Sequence, residues 1–554
     1  SGSYNNFFGF EAGYSNTSGQ YNNFIGVNAG TANTTGSHNN FIGESAGSNN
    51  TCGSYNNFLG RDAGNHNTTG CYNTFIGLNA GHCNQNDSNS IAIGKEAGYW
   101  NQGENNIYLG ECAGRSATRS SNTTGTDNVA IGKSSGANIT TGRFNNFLGL
   151  CAGYCNTSGD YNNFIGYFAG KSNLTGDENN FLGRCAGYCN SGGDLNNFFG
   201  SCAGKCNTIG ASNNFFGSGA GFNNDSGCYN NFFGCFAGQL NTSGSNNTFF
   251  GYFAGKCNET NSNSIAIGRQ AGYWNQGDNN IYLGECAGRS ATRSFNTTGS
   301  NNVAIGKSSG ANITTGSDNN FFGESAGTSN TTGCYNNFIG RNAGKYNSSG
   351  NNNIFIGYCA GSRSYGGYEN IAIGKHAGCC HCGGYNMSFG SCAGRVNYGY
   401  YNLFFGHQSG MSNVGSSNIF LGGCVSPISF IASQNIVMGF QGAYSQCNAN
   451  CNIFMGRKVA YGNTDGNNNI FLGSYAGCSQ TTGDNNVIIG PNVVSANSAT
   501  GSSQLAIGIG NTVWLRGDSS YNIYDKDGNQ LNGAGGGGGG ITTGKAIAMA
   551  MVFG

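Results

Sequence analysis

Residues 22–43 read Asn22-Asn23-Phe24-Ile25-Gly26-Val27-Asn28-Ala29-Gly30-Thr31-Ala32-Asn33-Thr34-Thr35-Gly36-Ser37-His38-Asn39-Asn40-Phe41-Ile42-Gly43. The string Asn-Asn-Phe-Ile-Gly closes one 17-residue unit and then closes the next. Taking that terminal Gly as an anchor, the step of 17 runs from Gly9 to Gly94, from Gly132 to Gly268 and from Gly306 to Gly374. Spacings of 16 carry it to Gly422, 17 returns to Gly490, and a last step of 18 reaches Gly508. Thirty anchors result. Two steps are 22 residues long, Gly110 to Gly132 and Gly284 to Gly306. They lie in the near-identical blocks Asn89–Gly142 and Asn263–Gly316, offset by 174 residues, so the gene has duplicated at two scales.

A 17-residue unit is too short for two helices and a turn. Gly, Asn, Thr and Ser recur every few residues, which leaves no room for a helix of ordinary length. Each unit offers one short strand before the anchor. A lone short strand buries no core, but strands stacked in register on their neighbours do. The spacing therefore predicts an all-β fold, a parallel β-solenoid (β-roll) of about 30 coils at ~4.8 Å each, a rod about 140 Å long. Residues 1–508 form the repeat region, 509–532 a capping hairpin, and 533–554 a Gly-rich linker with an apolar assembly segment.

Composition narrows the function. Gly supplies 100 of 554 residues and Pro only 2, which excludes collagen. Charged residues are 9% and the formal net charge is zero, so nothing marks a nucleic-acid or anionic-membrane partner. An aromatic content of 12% argues against disorder. No apolar run approaches the ~20 residues of a membrane-spanning helix.

The columns of the repeat give side-chain directions. The residue before the anchor is Phe, Ile, Leu or Met in all 30 units and is read as the inside of the coil. Three before the anchor shares that face by the period of two. There Asn6, Asn23 and Asn40 are expected to stack as an inward amide ladder. The column two before the anchor then points outward. It is Phe in 19 units, Tyr in two and Ala in six. A long Phe stripe in water calls for a cover, so Phe24, Phe41, Phe58, Phe75, Phe147, Phe164, Phe181 and Phe198 are assigned to an interface between copies of the chain. The competing reading is a flattened coil with both faces buried.

The remainder of the unit is turns. Ala-Gly, as in Ala12-Gly13 and Ala29-Gly30, supplies a positive φ at a tight corner. Asn seven after the anchor, as at Asn16 and Asn33, is read as a left-handed turn residue. Thr-Thr-Gly makes the second corner. Asn-x-Ser/Thr triplets at Asn16, Asn33, Asn67, Asn138 and Asn156 follow from that turn chemistry. They would be glycan acceptors only in a eukaryotic secretory route.

The strings Asn89-Ser90-Ile91-Ala92-Ile93-Gly94 and Asn263-Ser264-Ile265-Ala266-Ile267-Gly268 resemble the head repeat of trimeric autotransporter adhesins. The resemblance implies a left-handed parallel β-roll with three chains to a head, the small residue between the aliphatics facing the trimer. The unit here is longer, and most units carry Phe in place of Ala. The commoner string, Asn-Asn-Phe-Ile-Gly followed by Ala-Gly and Asn-Thr-Thr-Gly, resembles repeats in tail-fibre and other virion proteins of marine phages. The end, from Ile541 through Lys545 to Gly554, is similar to a C-terminal segment of structural proteins in cyanophage-like viruses. These resemblances imply a homotrimeric structural fibre on a virion or otherwise extracellular. It would attach to a host-surface receptor and join other virion proteins through its C-terminal segment. A cell-surface adhesin or secreted filament is the alternative. An ice-binding solenoid would need a flat ladder of spaced Thr, whereas these Thr pairs sit in corners.

Candidate chemistry is sparse. His38, His66, His82, His376, His381 and His407 occupy different repeat columns, so no shared site is expected. Acidic residues are scattered singly, without paired carboxylates. No catalytic residue and no cofactor are assigned, and the chain is read as non-enzymatic. One dense cluster, His376, Cys379, His381 and Cys382 with Cys380 among them, has the ligand types for Zn²⁺. Its spacing is tighter than an ordinary zinc knuckle, and turn cysteines are the competing reading. The 24 Cys follow repeat columns. Cys185–Cys202 and Cys189–Cys206 fall one coil apart, within disulfide reach; Cys185–Cys189 across a corner is the other pairing. Unbridged small residues are the third reading.

Overall fold

The structure, a computed structural model, describes residues 2–100, 102–116, 124–290, 298–427, 431–494 and 498–531. It is a parallel β-solenoid with a repeat of about 17 residues and about 28 turns, and no helix occurs among the described residues. The chain divides into two compact units, Ser1–Asn280 and Ile281–Gly554.

In the first unit each coil gives one three-residue strand, from Asn6–Phe8 to Ile265–Ile267. Neighbouring strands pair in parallel and in register, like with like: Asn23 faces Asn40, Phe24 faces Phe41 and Ile25 faces Ile42. The turns are bonded along the axis as well. Gly30 N donates to Ala46 O at 2.9 Å, Ala32 N to Ser48 O at 2.8 Å and Thr34 N to Thr51 O at 2.8 Å. Polar backbone in the corners is thus satisfied by the next coil, as buried backbone must be.

The second unit continues the same unit structure from Ile281–Leu283 to Leu505–Ile509. Its 16-residue coils differ in a telling way. They contract the second corner from Asn-x-x-Gly to Asn-x-Gly or His-x-Gly, and the chain there straightens. Cys380–His381, Val396–Asn397 and Ser412–Asn413 form a second parallel ladder of three strands. After Leu505–Ile509 the chain reverses. Thr512–Gly517 pairs antiparallel with that strand, and Ile523–Asp525 pairs antiparallel with Thr512–Gly517. The apolar segment 533–554 lies outside the described residues.

The facing of the columns is the reverse of the sequence expectation. Phe24, Phe41, Phe58, Phe147, Phe164, Phe181 and Phe198 are 0% exposed and Phe75 is 1% exposed, within a single chain. They form the core and are not an intermolecular surface. The column before the anchor faces out: Ile165 is 40% exposed beside Phe164. The cause is the Ala-Gly corner. A Cβ on Gly30 would lie 2.6 Å from the Phe24 ring, and one on Gly47 would lie 2.7 Å from Phe41. The aromatic ring therefore lies flat on a glycine that has both the space and the left-handed φ, 59° at Gly30. Stacked rings fill the coil, with Phe24–Phe41 and Phe41–Phe58 centroids each 4.8 Å apart. The small residue of the Ile-Ala-Ile strings turns inward too, Ala92 and Ala266 being 1% exposed. The correspondence with a trimer-facing small residue is removed by that orientation.

Variation in the core column is compensated. Tyr108 is buried between Ala92 and Ala130, its register partners. Where Ala130 and Ala304 shorten the core, the residue seven after the anchor is Ile139 or Ile313, each 0% exposed, in place of Asn.

The amide ladders are also relocated. Two run inside. Asn22 N donates to Asn5 Oδ1 and Asn39 N to Asn22 Oδ1 at 2.9 and 3.0 Å, while Asn22 Nδ2 donates to Gly36 O at 2.8 Å. Asn33 Nδ2 donates to Asn16 Oδ1 at 2.8 Å and Asn50 Nδ2 to Asn33 Oδ1 at 2.7 Å. The second ladder is the supposed turn column. Asn33, Asn67 and Asn156 are 0% exposed, so these triplets are core amides in the folded chain. The left-handed backbone falls elsewhere, on Tyr21, Asn28, His38 and Ser45, with φ between 57° and 61°.

Candidate functional surface

The outward side of the sheet carries three regular columns. Asn6, Asn23, Asn40 and Asn57 form an external amide ladder, each Nδ2 donating to the next Oδ1 at 2.8 to 3.0 Å. Beside it run the apolar residues before each anchor. Phe199, Phe216, Phe233 and Phe250 stack at centroid distances of 4.7, 4.7 and 4.4 Å. The third column, five before the anchor, stacks Tyr4, Tyr21, His38, Tyr55 and Tyr72 at 4.7 to 4.9 Å with planes within 11°. These tyrosines are at least half exposed. Their left-handed backbone aims the rings outward from the corner. The strand supplies the spacing and the corner supplies the direction.

Charges decorate the edges as exposed pairs one coil apart, such as Lys133–Glu111 at 2.9 Å and Arg143–Asp160 at 3.2 Å. Such pairs contribute little to stability.

The four candidate ligands His376, Cys379, His381 and Cys382 are dispersed. His381 points into the core, 0% exposed, with Nε2 3.0 Å from Ser388 Oγ. Burial pushes its pKa down to about 3. Cys379 Sγ lies 3.1 Å from Ser362 Oγ, and hydrogen bonds from Cys380 and Ser362 hold its thiol well below the ordinary range. Cys382 follows on the other side of the strand, half-buried. Alternation along Cys380–His381 sends those two side chains to opposite faces, and His376, Cys379, His381 and Cys382 do not come together as a ligand group. Among the described residues, the group that does converge is His66, His82 and Cys83. Sequence columns alone separated these residues, because they sit at adjacent positions on a corner, where side chains of successive coils lean together.

Cys185, Cys202, Cys189 and Cys206 are free thiols. The axial partners touch. Burial raises the Cys185 thiol pKa, with Cys202 adding to it, and Cys206 is raised by burial and then by Cys189.

No helix among the described residues is long and apolar enough to cross a membrane. No protein-family model matches the chain, and no curated protein matches it.

Proposed function

We propose that the chain is a structural fibre protein of a virion, displayed on the particle surface and mediating host attachment. The single observation that carries the reading is the in-register repetition of one 17-residue coil, with each core residue resting on its counterpart in the next coil. Such a chain gains length by repetition, and its side chains build a regular scaffold. The sequence resemblance to virion repeats adds the particle and the host. The reading assigns no catalytic role.

Assembly is proposed as a homotrimer. The surface that fits is the outward column before the anchors, where Ile165, Ile267 and Ile339 are 40 to 43% exposed. An apolar stripe of that regularity favours burial against like stripes. The test is mass spectrometry of purified particles, with electron micrographs and light-scattering mass of the isolated protein. Rods of trimer mass, present in particles, support the reading. A monomer absent from every particle fraction overturns it.

A further inference from the structure

The first unit brings two imidazoles and a thiol to one corner. His66 lies six residues after its anchor Gly60. His82 and Cys83 lie five and six after the next anchor, Gly77. The backbone sets their separation, since His66 N donates to His82 O at 2.9 Å. One ligand atom from each of the three lies within 4.8 Å of the other two. His82 Nδ1 is already 3.2 Å from Cys83 Sγ.

Two further observations bear on this corner. His82 stacks on Tyr99, its counterpart in the next coil, with planes 10° apart. His66 and His82, which stand in neighbouring columns, sit 4.7 Å apart with their planes tilted by 48°. In addition, His66 Nδ1 is buried and has no hydrogen-bond partner. A buried ring nitrogen left without a partner carries a desolvation cost, which a bound cation would relieve.

We propose that His66, His82 and Cys83 form a Zn²⁺ site. Two imidazoles and one thiolate are borderline-to-soft ligands, which favour zinc over magnesium or calcium. Zinc sits about 2.0–2.3 Å from such ligands in a tetrahedron, so the ligand atoms farthest apart close by about an ångström on binding. Three protein ligands leave a fourth position for water. The Cys83 thiol releases its proton to solvent as the Zn–S bond forms, and no electron changes hands. Cys83 is 6% exposed, so the metal seals a corner of the core.

The chain contains its own comparison. At the 174-residue offset, Cys257 is the counterpart of Cys83, and it too is buried, at 1% exposed. Leu240 and Lys256 stand where His66 and His82 stand. The second position keeps the thiol and lacks both imidazoles.

The test uses the full chain, stripped of metal by chelation under reducing conditions, with Co²⁺ and then Zn²⁺ as the probes. Cobalt bound by a thiolate gives a sulfur-to-metal charge-transfer band, which Zn²⁺ should erase by displacement. His66→Asn and Cys83→Ser should each lower the bound Co²⁺ by one equivalent, with the band reduced to match. Asn49 and Ser15 occupy that same repeat position, so both replacements fit the coil. Cys257→Ser should leave the stoichiometry and the band unchanged. If His66→Asn fails to fold, the pair Leu240→His and Lys256→His serves, and should add one equivalent. Unchanged stoichiometry in folded His66→Asn and Cys83→Ser chains, or no gain at the Leu240 and Lys256 pair, overturns the site.

Discussion

The imidazole of His381 lies in the core with its Nε2 3.0 Å from the hydroxyl of Ser388. Ser388 occupies the column that holds Phe in most coils, and Ala372 holds that column in the coil before. His381 stands seven after its anchor, where Asn is usual, and fills the space two small residues leave. The contact with Ser388 satisfies Nε2, while Nδ1 is buried without a hydrogen-bond partner.

Acid should loosen the second unit through this residue. The folded pKa of about 3 lies below the ordinary value of 6.5, so the folded state prefers neutral imidazole. Its contribution is complete above pH 6.5 and is lost as pH falls from there toward 3. The loss reaches about 2 kcal/mol by pH 5. Urea denaturation from pH 7 to 4 should show that decline in the wild type. His381→Gln should be weaker at pH 7 and flatter below it. Parallel slopes in the two proteins would refute the assignment.

Core and surface columns should respond oppositely. Phe164→Ala should cost about 3–5 kcal/mol, and Phe164→Asp should unfold its neighbourhood. Ile165→Asp, on the adjacent outward position, should leave the far-UV spectrum and denaturation midpoint nearly unchanged. If the outward stripe is the contact between chains, light scattering will show a smaller assembly for Ile165→Asp. Loss of folding in Ile165→Asp with tolerance of Phe164→Asp would reverse the observed facing.

The anchor glycine tolerates no side chain. Gly166 has a φ of 139°, and a Cβ there would lie 2.6 Å from the carbonyl oxygen of Gly183. Gly166→Ala should cost at least about 3 kcal/mol, strain and clash together. Thermal denaturation measures it, and a midpoint within a degree of wild type would contradict the geometry.

Cys379 should be alkylated below neutral pH ahead of the thiols that burial raises. Hydrogen bonds from Cys380 and Ser362 favour its thiolate, while Cys380 is shifted upward by the same contact. Peptide mapping after brief iodoacetamide treatment at pH 6 should find label on Cys379 before Cys185 or Cys206, whose thiols burial raises. Earlier labelling of Cys185 would rule this out.

The coil itself was legible because spacing is a property of sequence: Gly26 to Gly43 to Gly60 fixes the register without any energy argument. Orientation was not. Period two says that Asn23 and Ile25 share a face and Phe24 takes the other, but both faces are apolar enough to be inside. The Ala29-Gly30 corner held the answer, since only a residue without Cβ lets a ring lie against it. The left-handed tyrosines were hidden for the opposite reason, because Tyr21 and Tyr55 are poor candidates for positive φ by intrinsic preference. His66, His82 and Cys83 escaped a column-by-column reading because a corner joins columns that a strand keeps apart.

The shared register of every coil has an evolutionary corollary. Recombination between two anchors that removes or adds 17 residues rejoins Phe to Phe and Asn to Asn, as Phe164 already meets Phe181 and Asn163 meets Asn180. Whole-unit indels therefore leave each remaining contact of its original kind, so alleles of this gene can differ in length at little structural risk. A single-residue indel is harmless only where the 16-residue coils place it, in the second corner between Asn397 and Gly399. The same lesion between Asn163 and Gly166 would turn phenylalanine outward and isoleucine inward in that coil alone.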